Sequence, residues 1–524
     1  MANFWNESGW LALSLAAVLA QPAAGQEGST STIALPTAEQ SQYLSTKPRD
    51  TTRGPAPSIT AEVVVKSLPQ DSWFATESST KVTSQPLRSA NELMILLDPK
   101  LTGPQIESAL KDHDLTLISA APQIGMVTVD ASTRLGTDAV PLQAMAVEDI
   151  EKSPLSVLAK KLAQDKRFLA VTPNSVISPF GIKSAIDPVP LTPSIGTAGE
   201  RTDWGITDAK FDVFWPETKT PFVMGVVDVG FADHEDLSTR KGLTAPISPD
   251  NHGNHVAGIM CAQHNDIGMK GALKGCTAVI SAGQFLLTGD NAVEGEGIGP
   301  FKTRMSEYVS TILEFMELNP DVKTINISLG YNWMPNFGID PRGTPHAEIR
   351  NTVREQGQIF AVVLAYAKRR NIALVSAAGN DSRTLGTPLE AQWASPFNFG
   401  SNMVRELDGW TNGLIVEAHD AAHKPAKFSN SAGQISCPGV DISSLLASKK
   451  DAYGKMSGTS MASPYCAAGL ALVRVMRPEL SLRQALDCLV SAPERTSRNV
   501  PIMNVEYSIR QCKPSTLAMI ASGR

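Results

Sequence analysis

Two histidines stand three residues apart in the stretch NHGNHVAGIM, at positions 252 and 255. Imidazoles in such pairs serve as metal ligands, as catalytic bases or as packed core groups. A zincin site needs two histidines four residues apart on one helix face, with a glutamate between them. His252 and His255 have a different spacing, and Gly253 and Asn254 separate them. The sequence therefore disfavours zinc and leaves a general base or two structural histidines.

A histidine that acts as a general base needs a nucleophile to deprotonate and a carboxylate to orient its ring. Asp228 ends the apolar run MGVVDV, although an aspartate at a strand end is by itself more often a turn residue. Ser460 follows a Gly-Thr pair and opens an apolar helical pattern in SGTSMASPYCAAG. Pro464 suits the first turn of that helix, whose positive end would lie behind the serine oxygen.

These residues need a scaffold, and the second part of the chain has the pattern of one. Near-continuous apolar runs, each typical of a buried strand, alternate with amphipathic helical patterns such as RMSEYVSTILEFMEL and IFAVVLAYAKRR. The four runs are 222–229, 277–286, 322–330 and 372–380. This alternation predicts a parallel sheet covered on both faces, with ligand sites at the carboxyl ends of its strands.

A smaller unit precedes this scaffold. Between residues 92 and 179 the patterns follow the order βαββαβ, which predicts a small ferredoxin-like α+β domain with a looser insertion at 131–150. Residues 26–90 are rich in Ser, Thr, Pro and Gln, a composition that predicts a flexible linker. The Pro- and Gly-rich residues 181–200 are predicted to form an exposed connector.

Length and composition exclude several other classes of protein. A chain of 524 residues with 42% hydrophobic and 19% charged residues has room for two or three globular domains. A net charge of −6 without a dense basic stripe argues against a nucleic-acid partner.

The N-terminus carries the apolar run WLALSLAAVLA, followed by small residues. The run is too short to span a bilayer and predicts a signal peptide over residues 1–25, hence a secreted or periplasmic protein without a membrane span. The preceding segment contains Glu7 and no Lys or Arg, which is atypical of a signal peptide and leaves a buried or frayed helix as the alternative.

All six cysteines lie between positions 261 and 512. In an exported chain this even number permits three disulfides, with 15 possible connectivities. The apolar helical pattern around Cys466 equally permits a buried free thiol there.

Three motifs resemble those of the subtilisin-like serine peptidases. VVDVGFADHEDL resembles the aspartate motif of that family, HGNHVAG its histidine motif and GTSMASP its serine motif. The resemblance covers about residues 200 to 512, with Asn254 where the family usually has threonine. It implies an α/β fold for residues 201–524: a subtilisin-like doubly wound parallel sheet with helices on both faces.

The resemblance also implies roles for individual residues. Ser460 would attack a peptide carbonyl, His252 would accept its proton and Asp228 would orient the imidazole, while His255 would only pack in the helix. Asn380, at the end of SAAGN, resembles the asparagine that stabilises the oxyanion together with the backbone N–H of the serine. Catalysis of this kind needs no cofactor.

Two further segments resemble substrate-binding elements of the family. NISLG resembles the strand that lines the primary specificity pocket, and the small residues before Asn380 would form the opposite wall. The implied substrate contacts are Ser328, Leu329, Gly330, Ala377, Ala378 and Gly379. Small residues predict a roomy pocket for a large apolar side chain, next to an insertion at 331–348; the alternative for SLG is a plain strand-to-turn transition.

The loop QHNDIGMKG follows the histidine motif, where relatives form a calcium site. The implied ligands are the side chains of Asp236 and Asn265 and the backbone oxygens of Gln263, Ile267 and Met269. Ligation by oxygen alone suits calcium, whereas a short polar loop without metal is the alternative. Cys261 and Cys276 flank the loop, and a bond between them would close 15 residues (276 − 261).

Residues 91–180 resemble the inhibitory prosegment that precedes such peptidases, and WGI at 204–206 lies close to where mature relatives begin. The resemblance implies a self-processing zymogen whose partners are protein or peptide substrates and its own prosegment. Three alternatives remain: a recruiting module that stays attached, a catalytically silent binding scaffold, and a peptide ligase, for which the sequence has no signature.

Overall fold

Two β-sheets, one antiparallel and one parallel, dominate this computed structural model. The residues that it describes are 32–52, 61–62, 83–84, 88–136, 153–179, 200–243, 251–281, 286–287, 301–331, 333, 340–342, 347–382 and 387–513. The predicted signal peptide and residues 181–199 of the predicted connector lie outside these described residues.

The first part of the chain contains three main helices and the antiparallel sheet. Its elements are α1 (Ala38–Ser45), β1 (Arg88–Leu97), α2 (Gly103–Asp112), β2 (Thr116–Ala121), β3 (Met126–Asp130), α3 (Pro154–Leu162) and β4 (Phe168–Pro179). Local sequence explains the helix starts: Gln105 accepts the backbone N–H of Thr102 at 2.9 Å, and Ser153 caps α3.

Strands β1 to β4 pair antiparallel in the order β4-β1-β3-β2. With α2 and α3 as connections, this order is the ferredoxin-like arrangement. Alternate residues of β1 face opposite sides: Leu93 and Ile95 pack in the core beneath α2 and α3, whereas Met94 and Leu96 join the core of the second part. Both faces of the sheet are therefore buried.

The predicted flexible linker is wrong for residues 33–52, which fold onto the ferredoxin-like unit. Thr37 caps α1, and the buried side chain of Gln40 donates from Nε2 to the carbonyls of Asp98 and Leu101 at 2.8 and 3.2 Å. The segment is polar, but its polar groups find partners within the fold. Composition alone therefore gave the wrong prediction.

The second part of the chain alternates strands and helices. Its elements are α4 (Trp204–Asp208), β5 (Phe222–Val227), β6 (Thr239–Lys241), α5 (His252–Cys261), β7 (Cys276–Ser281), β8 (Phe301–Arg304), α6 (Met305–Leu318), β9 (Thr324–Ile327), β10 (Leu329–Gly330), α7 (Ala347–Arg369), β11 (Ala373–Ala377), α8 (Pro396–Asp408), β12 (Gly413–His419), β13 (Ile435–Pro438), β14 (Ile442–Leu445), β15 (Tyr453–Met456), α9 (Thr459–Met476) and α10 (Leu482–Leu489). Short pairs join 201–202 to 269–270, 286–287 to β8, and 61–62 to 83–84.

Seven strands form a parallel sheet in the order β13-β12-β11-β9-β5-β7-β6. The four apolar runs lie at its centre, as predicted, in β5, β7, β9 and β11. Helix α7 begins well before the predicted IFAVVLAYAKRR pattern. All strands point the same way, so the residues after β5, β9 and β11 meet at one carboxyl edge.

Strand β4 connects the two sheets. It extends past its antiparallel partners and pairs with β8, through Val176–Arg304 and Ile177–Thr303, and with β10, through Ser178–Gly330 and Pro179–Leu329. Both pairings are antiparallel. The last residues of the ferredoxin-like unit therefore lie as an extended strand between two edge strands of the second part.

Three disulfides link the six cysteines: Cys261–Cys276, Cys437–Cys466 and Cys488–Cys512. The first is the bond considered from the sequence. The alternative of a free thiol at Cys466 is wrong, because its partner lies on β13, which packs beside α9. In the described residues, no helix combines the length and the apolar character that crossing a bilayer requires.

Candidate active site

Asp228 directly follows β5 at the carboxyl edge of the parallel sheet. Its side chain is fully buried, and Oδ1 accepts the backbone N–H of Val229 at 2.7 Å. The same oxygen lies 2.7 Å from Nδ1 of His252. Because an ionised carboxylate can only accept, His252 donates through Nδ1, which leaves the Nε2 lone pair to take up a proton.

His252 is the first residue of α5, and its two neighbours fix that helix start. A β-carbon on Gly253 would lie 2.5 Å from the carbonyl oxygen of Val229, so only glycine allows this close approach. The side chain of Asn254 accepts the N–H of Ala232 at 3.2 Å and donates to its carbonyl at 3.0 Å. The asparagine at this position thus ties the loop after Asp228 to the helix.

His255 is fully buried on the same helix. Its Nε2 lies 3.0 Å from the carbonyl oxygen of Ile442 and 3.2 Å from that of Gly454. Burial, assisted by the nearby His252, lowers the pKa of His255 to about 3. The imidazole is therefore neutral at ordinary pH, and the prediction of a packing role is confirmed.

Ser460 is the second residue of α9 and is fully buried. The helix begins at Thr459, so Pro464 lies in its second turn and the prediction that Pro464 belongs to the first turn is wrong. Proline has no N–H to donate to the carbonyl of Ser460, four residues earlier. The positive end of the helix lies beside the serine side chain.

Asn380 follows β11 and is bound to the start of α9. Its Oδ1 accepts the backbone N–H and the hydroxyl of Thr459, both at 2.9 Å. The hydroxyl in turn accepts the N–H of Gly379 at 3.1 Å. With Oδ1 bonded in this way, Nδ2 lies on the side of Gly458, where a β-carbon would be 3.5 Å away.

The predicted substrate contacts follow β9 and β11, two neighbouring strands. Ser328 is fully buried with its Oγ 3.0 Å from Oγ of Ser463, so its side chain faces the interior. Leu329 and Gly330 form β10 and pair with β4 through the backbone. An edge strand that already pairs with an extended segment has the geometry for binding a peptide as an added strand.

The three residues predicted to form the opposite wall of the pocket, Ala377, Ala378 and Gly379, are also held in place. The carbonyls of Ala377 and Ala378 each accept a side-chain amide, from Asn398 and Asn430 respectively, at 3.1 Å. Gly379 has φ +97°, a conformation that favours glycine. These three residues lead directly into Asn380 at the carboxyl end of β11.

The sequence also matches a known family over most of this second part. The family model described as the Subtilase family matches residues 220–505. The chain belongs to the subtilase family. The matched range contains Asp228, His252, Asn380 and Ser460.

Individual relatives of this subtilase are distant. It is 25% identical to the minor extracellular protease Epr of Bacillus subtilis (strain 168) over 329 residues, covering 61% of this chain and 42% of that protein. It is 26% identical to an alkaline protease of Shouchella clausii over 317 residues, covering 56% and 68% of the two chains.

A solved structure shares the fold. Fervidolysin from Fervidobacterium pennivorans, described as a keratinolytic enzyme related to subtilisin, aligns with a TM-score of 0.52 and 16% identity. The alignment covers 90% of this chain and 65% of fervidolysin. The chain thus spans less than two thirds of both Epr and fervidolysin, and the likeness to fervidolysin shows the fold alone.

The predicted calcium ligands of this subtilase include one buried carboxylate, that of Asp236. Oδ2 of Asp236 accepts the N–H of Met269 at 2.9 Å, whereas its Oδ1 is buried without a hydrogen-bond partner among the described residues. Burial, the largest cause, raises the pKa of Asp236 to about 7. A buried carboxylate oxygen without a donor fits a cation, which would stabilise the ionised form.

Two of the other predicted ligands, Gln263 and Met269, bond to Asp236 through their backbone N–H groups. Gln263 donates its backbone N–H to the carbonyl of Asp236 at 2.9 Å, and its side chain binds the carbonyls at 261 and 276. Oδ1 of Asn265 accepts the N–H of Ile267 at 3.2 Å and retains a second lone pair. An oxygen-rich loop of this kind suits calcium.

Thr459 is the residue at this site that sequence reasoning missed. It joins Gly379 and Asn380 to the helix that carries Ser460. The signal was its place in GTSMASP, but its partners lie 79 and 80 positions away in the chain.

Proposed function

We propose that this subtilase is a secreted serine endopeptidase with Ser460 as nucleophile, His252 as general base and Asp228 as the carboxylate that orients it. The observation that carries the proposal is the buried contact of 2.7 Å between Oδ1 of Asp228 and Nδ1 of His252. That contact fixes the tautomer whose Nε2 can accept a proton.

In the proposed reaction, Oγ of Ser460 attacks a peptide carbonyl and its proton passes to Nε2 of His252. The proton then moves to the leaving amine as the C–N bond breaks, which gives an acyl-enzyme that water hydrolyses by the same steps. Nδ2 of Asn380 and the backbone N–H of Ser460 donate to the oxyanion. The hydrogen bonds from Thr459 to Asn380 Oδ1 support this role, because they hold the amide in one orientation.

A fluorophosphonate probe tests this function against that of a catalytically silent scaffold. The processed protein should be labelled in proportion to its activity on unfolded protein substrates. Ser460→Ala should abolish both labelling and hydrolysis, while Ser463→Ala, a buried serine on the same helix, keeps the labelling. Absence of labelling in the processed wild type would favour the scaffold.

The same proposal makes the chain a zymogen in which the ferredoxin-like unit is the inhibitory prosegment. The pairing of β4 with β10 supports this, since residues 178–179 occupy the edge at which a peptide substrate would bind. The prosegment would then present the bond that is cut first, between about Ile177 and Arg201.

Mass spectrometry of wild type and Ser460→Ala tests self-processing. Wild type should shorten to roughly the 200–524 portion, whereas Ser460→Ala produced in a protease-free host should keep residues 91–180. Trimming of the serine variant at the same bond, or full activity of uncut wild type, would contradict self-processing.

We also propose that the Asp236 loop holds a structural calcium ion, through the side chains of Asp236 and Asn265 and backbone oxygens of the loop. The positive charge of the ion would balance the negative charge of the buried Asp236 carboxylate. A chelator should therefore lower the melting temperature of wild type and leave that of Asp236→Asn unchanged. An unchanged melting temperature in wild type would remove the site from the proposal.

Export is the last part of the proposed function. Three disulfides among six cysteines suit an oxidising compartment, and the N-terminal apolar run suits a signal peptide. Fusion of residues 1–25 to a reporter that folds only after export should yield active, trimmed reporter outside the cytoplasm. Retention of the untrimmed fusion in the cytoplasm would contradict export.

A further inference from the structure

A cluster of two histidines and an aspartate lies outside the catalytic residues. Asp208 is the last residue of α4, His419 is the last residue of β12, and His423 lies in the turn that follows. Nε2 of His419 is 3.3 Å from Oδ2 of Asp208, and Nε2 of His423 is 2.8 Å from Oδ1. One ligand atom from each residue lies within 4.8 Å of the other two.

The outer nitrogen of each ring has a partner of its own. Nδ1 of His419 lies 2.9 Å from Oγ of Ser436, and Nδ1 of His423 bonds to the carboxylate of Glu494. Metal-binding histidines are typically held in this way, with one nitrogen on the ion and the other on an oxygen. Here both inner nitrogens face the same carboxylate.

The backbone of the turn after β12 holds His423, the third residue of the cluster, in position. The side chain of Asp420 accepts the N–H groups of Ala422 and Lys424 at 2.9 and 3.0 Å, and His423 has φ +59° in the turn thus formed. His419 is fully buried, whereas the side chains of His423 and Asp208 are 30% and 17% exposed. The cluster therefore has a closed side and an open side that water can reach.

We propose that Asp208, His419 and His423 form a binding site for a divalent transition metal of the zinc class. Two imidazole nitrogens and one carboxylate oxygen, completed by water from the open side, are the donor set and number that zinc prefers. On binding, the His423 ring gives up its Nε2 proton to solvent if it is charged. His419 gives up its Nε2 proton to solvent and takes up a proton at Nδ1, which then donates a hydrogen bond to Oγ of Ser436.

The site has a structural role. Asp208 belongs to the first helix after the 181–200 segment, and His419 ends a strand of the parallel sheet. The metal would therefore fix the beginning of the peptidase part to its sheet, through ligands that are not the proposed catalytic residues. Its removal should lower the melting temperature, which is measured without any substrate, so the proposal does not depend on the proposed peptidase activity.

Metal titration of the full chain tests the site. Ser460→Ala protein, stripped of metal and kept in calcium buffer, is titrated with Zn²⁺ by calorimetry and with Co²⁺ by visible absorption. We expect one saturable ion with the absorption of four-coordinate Co²⁺. His423→Ala and Asp208→Asn should each weaken binding at least 100-fold, and Ser436→Ala about 10- to 100-fold. His113→Ala, which removes a half-buried histidine of the ferredoxin-like unit, should bind as wild type does.

Two results would overturn the proposal: no saturable binding, or equal binding by His423→Ala. Should the variants fail to fold, X-ray absorption at the zinc edge of the unsubstituted chain still decides. Two imidazole ligands and two oxygen ligands, one from Asp208 and one from water, are expected; fewer than two imidazoles place the ion elsewhere and contradict the site.

Discussion

The carboxamide oxygen of Asn380 accepts two hydrogen bonds of 2.9 Å from one residue, Thr459, whose neighbour is Ser460. The proposed oxyanion donor and nucleophile are thus positioned by the same helix start. This link makes the geometry of one dependent on the other.

Asn380→Ala should keep the fold and lower kcat about 10²- to 10³-fold, the loss seen when one oxyanion donor is removed from a subtilisin. The reason is that the donor acts on charge that develops only in the transition state. Steady-state kinetics on a peptide amide gives kcat and KM for wild type and for Asn380→Ala. A loss confined to KM would contradict the role.

Thr459→Val tests the orienting bond separately. The variant loses the hydroxyl that bonds to Asn380 and Gly379 but keeps the backbone N–H, so kcat should fall about 10-fold, consistent with the loss of a hydrogen bond worth about 1.4 kcal/mol. Thr459→Ser should retain most of the activity, because it keeps the hydroxyl. Equal rates for Val and Ser variants would show that the hydroxyl has no orienting role.

Short-range patterns predicted much of this site and missed the contacts between distant segments. Asp228, His252 and Ser460 each lie in a short contiguous motif beside an apolar run, so the sequence alone was enough to propose them as catalytic residues. The anchoring of Asn380 by Thr459, and the burial of Gln40 in a segment with the composition of a linker, depend on partners far along the chain. The pairing of Cys437 with Cys466 depends on β13 lying beside α9, which no local signal encodes.

His255 should make the protein sensitive to acid. Its pKa is about 3 in the folded state against 6.5 for a free histidine, so the unfolded state binds the proton first as pH falls. The contribution of neutral, buried His255 to the free energy of unfolding is fully present above about pH 6.5 and is lost progressively as the pH falls toward 3. At pH 4.5 the loss is about 3 kcal/mol by linkage.

Protonation of His255 is costly because Nε2 already donates to backbone carbonyls, and Nδ1 is buried with no acceptor in the described part of the chain. Denaturant unfolding of Ser460→Ala protein at pH 7.5 and 4.5 measures the effect. His255→Gln keeps a donor for Ile442 but does not titrate, so its stability should change less between the two pH values, by about 3 kcal/mol. An identical pH dependence in both proteins would rule out His255 as the cause.

The Cys437–Cys466 disulfide should stabilise the helix that carries Ser460. It closes a separation of 29 residues, for which the chain-entropy model gives about 3.5 kcal/mol. A Cys437→Ala, Cys466→Ala double variant should unfold at correspondingly lower denaturant concentration. The matching change at Cys488 and Cys512, a separation of 24 residues at the C-terminal end, should cost a similar stability but less activity. Equal activity loss in both would show no special link to α9.

The segment 33–52 should strengthen the hold of the ferredoxin-like unit on the peptidase part. The hydroxyl of Thr51 lies 3.0 and 2.9 Å from the two carboxylate oxygens of Glu314 on α6. A hydrogen bond to a charged group contributes about 1.5–3 kcal/mol. Thr51→Val should therefore speed release of the unit at least about 10-fold, measured as the rate at which activity appears after folding.

Thr46→Val is the matched control, because the Thr46 hydroxyl donates to the carbonyl of Tyr43 in the adjacent helix α1 and, among the described residues, to no other group. It should release the unit at the wild-type rate. Hydrogen exchange on Ser460→Ala protein gives a readout that needs no processing: protection of residues 38–52 should fall in Thr51→Val and stay unchanged in Thr46→Val. Wild-type protection and release in Thr51→Val would show that the contact with Glu314 does not hold this segment in place.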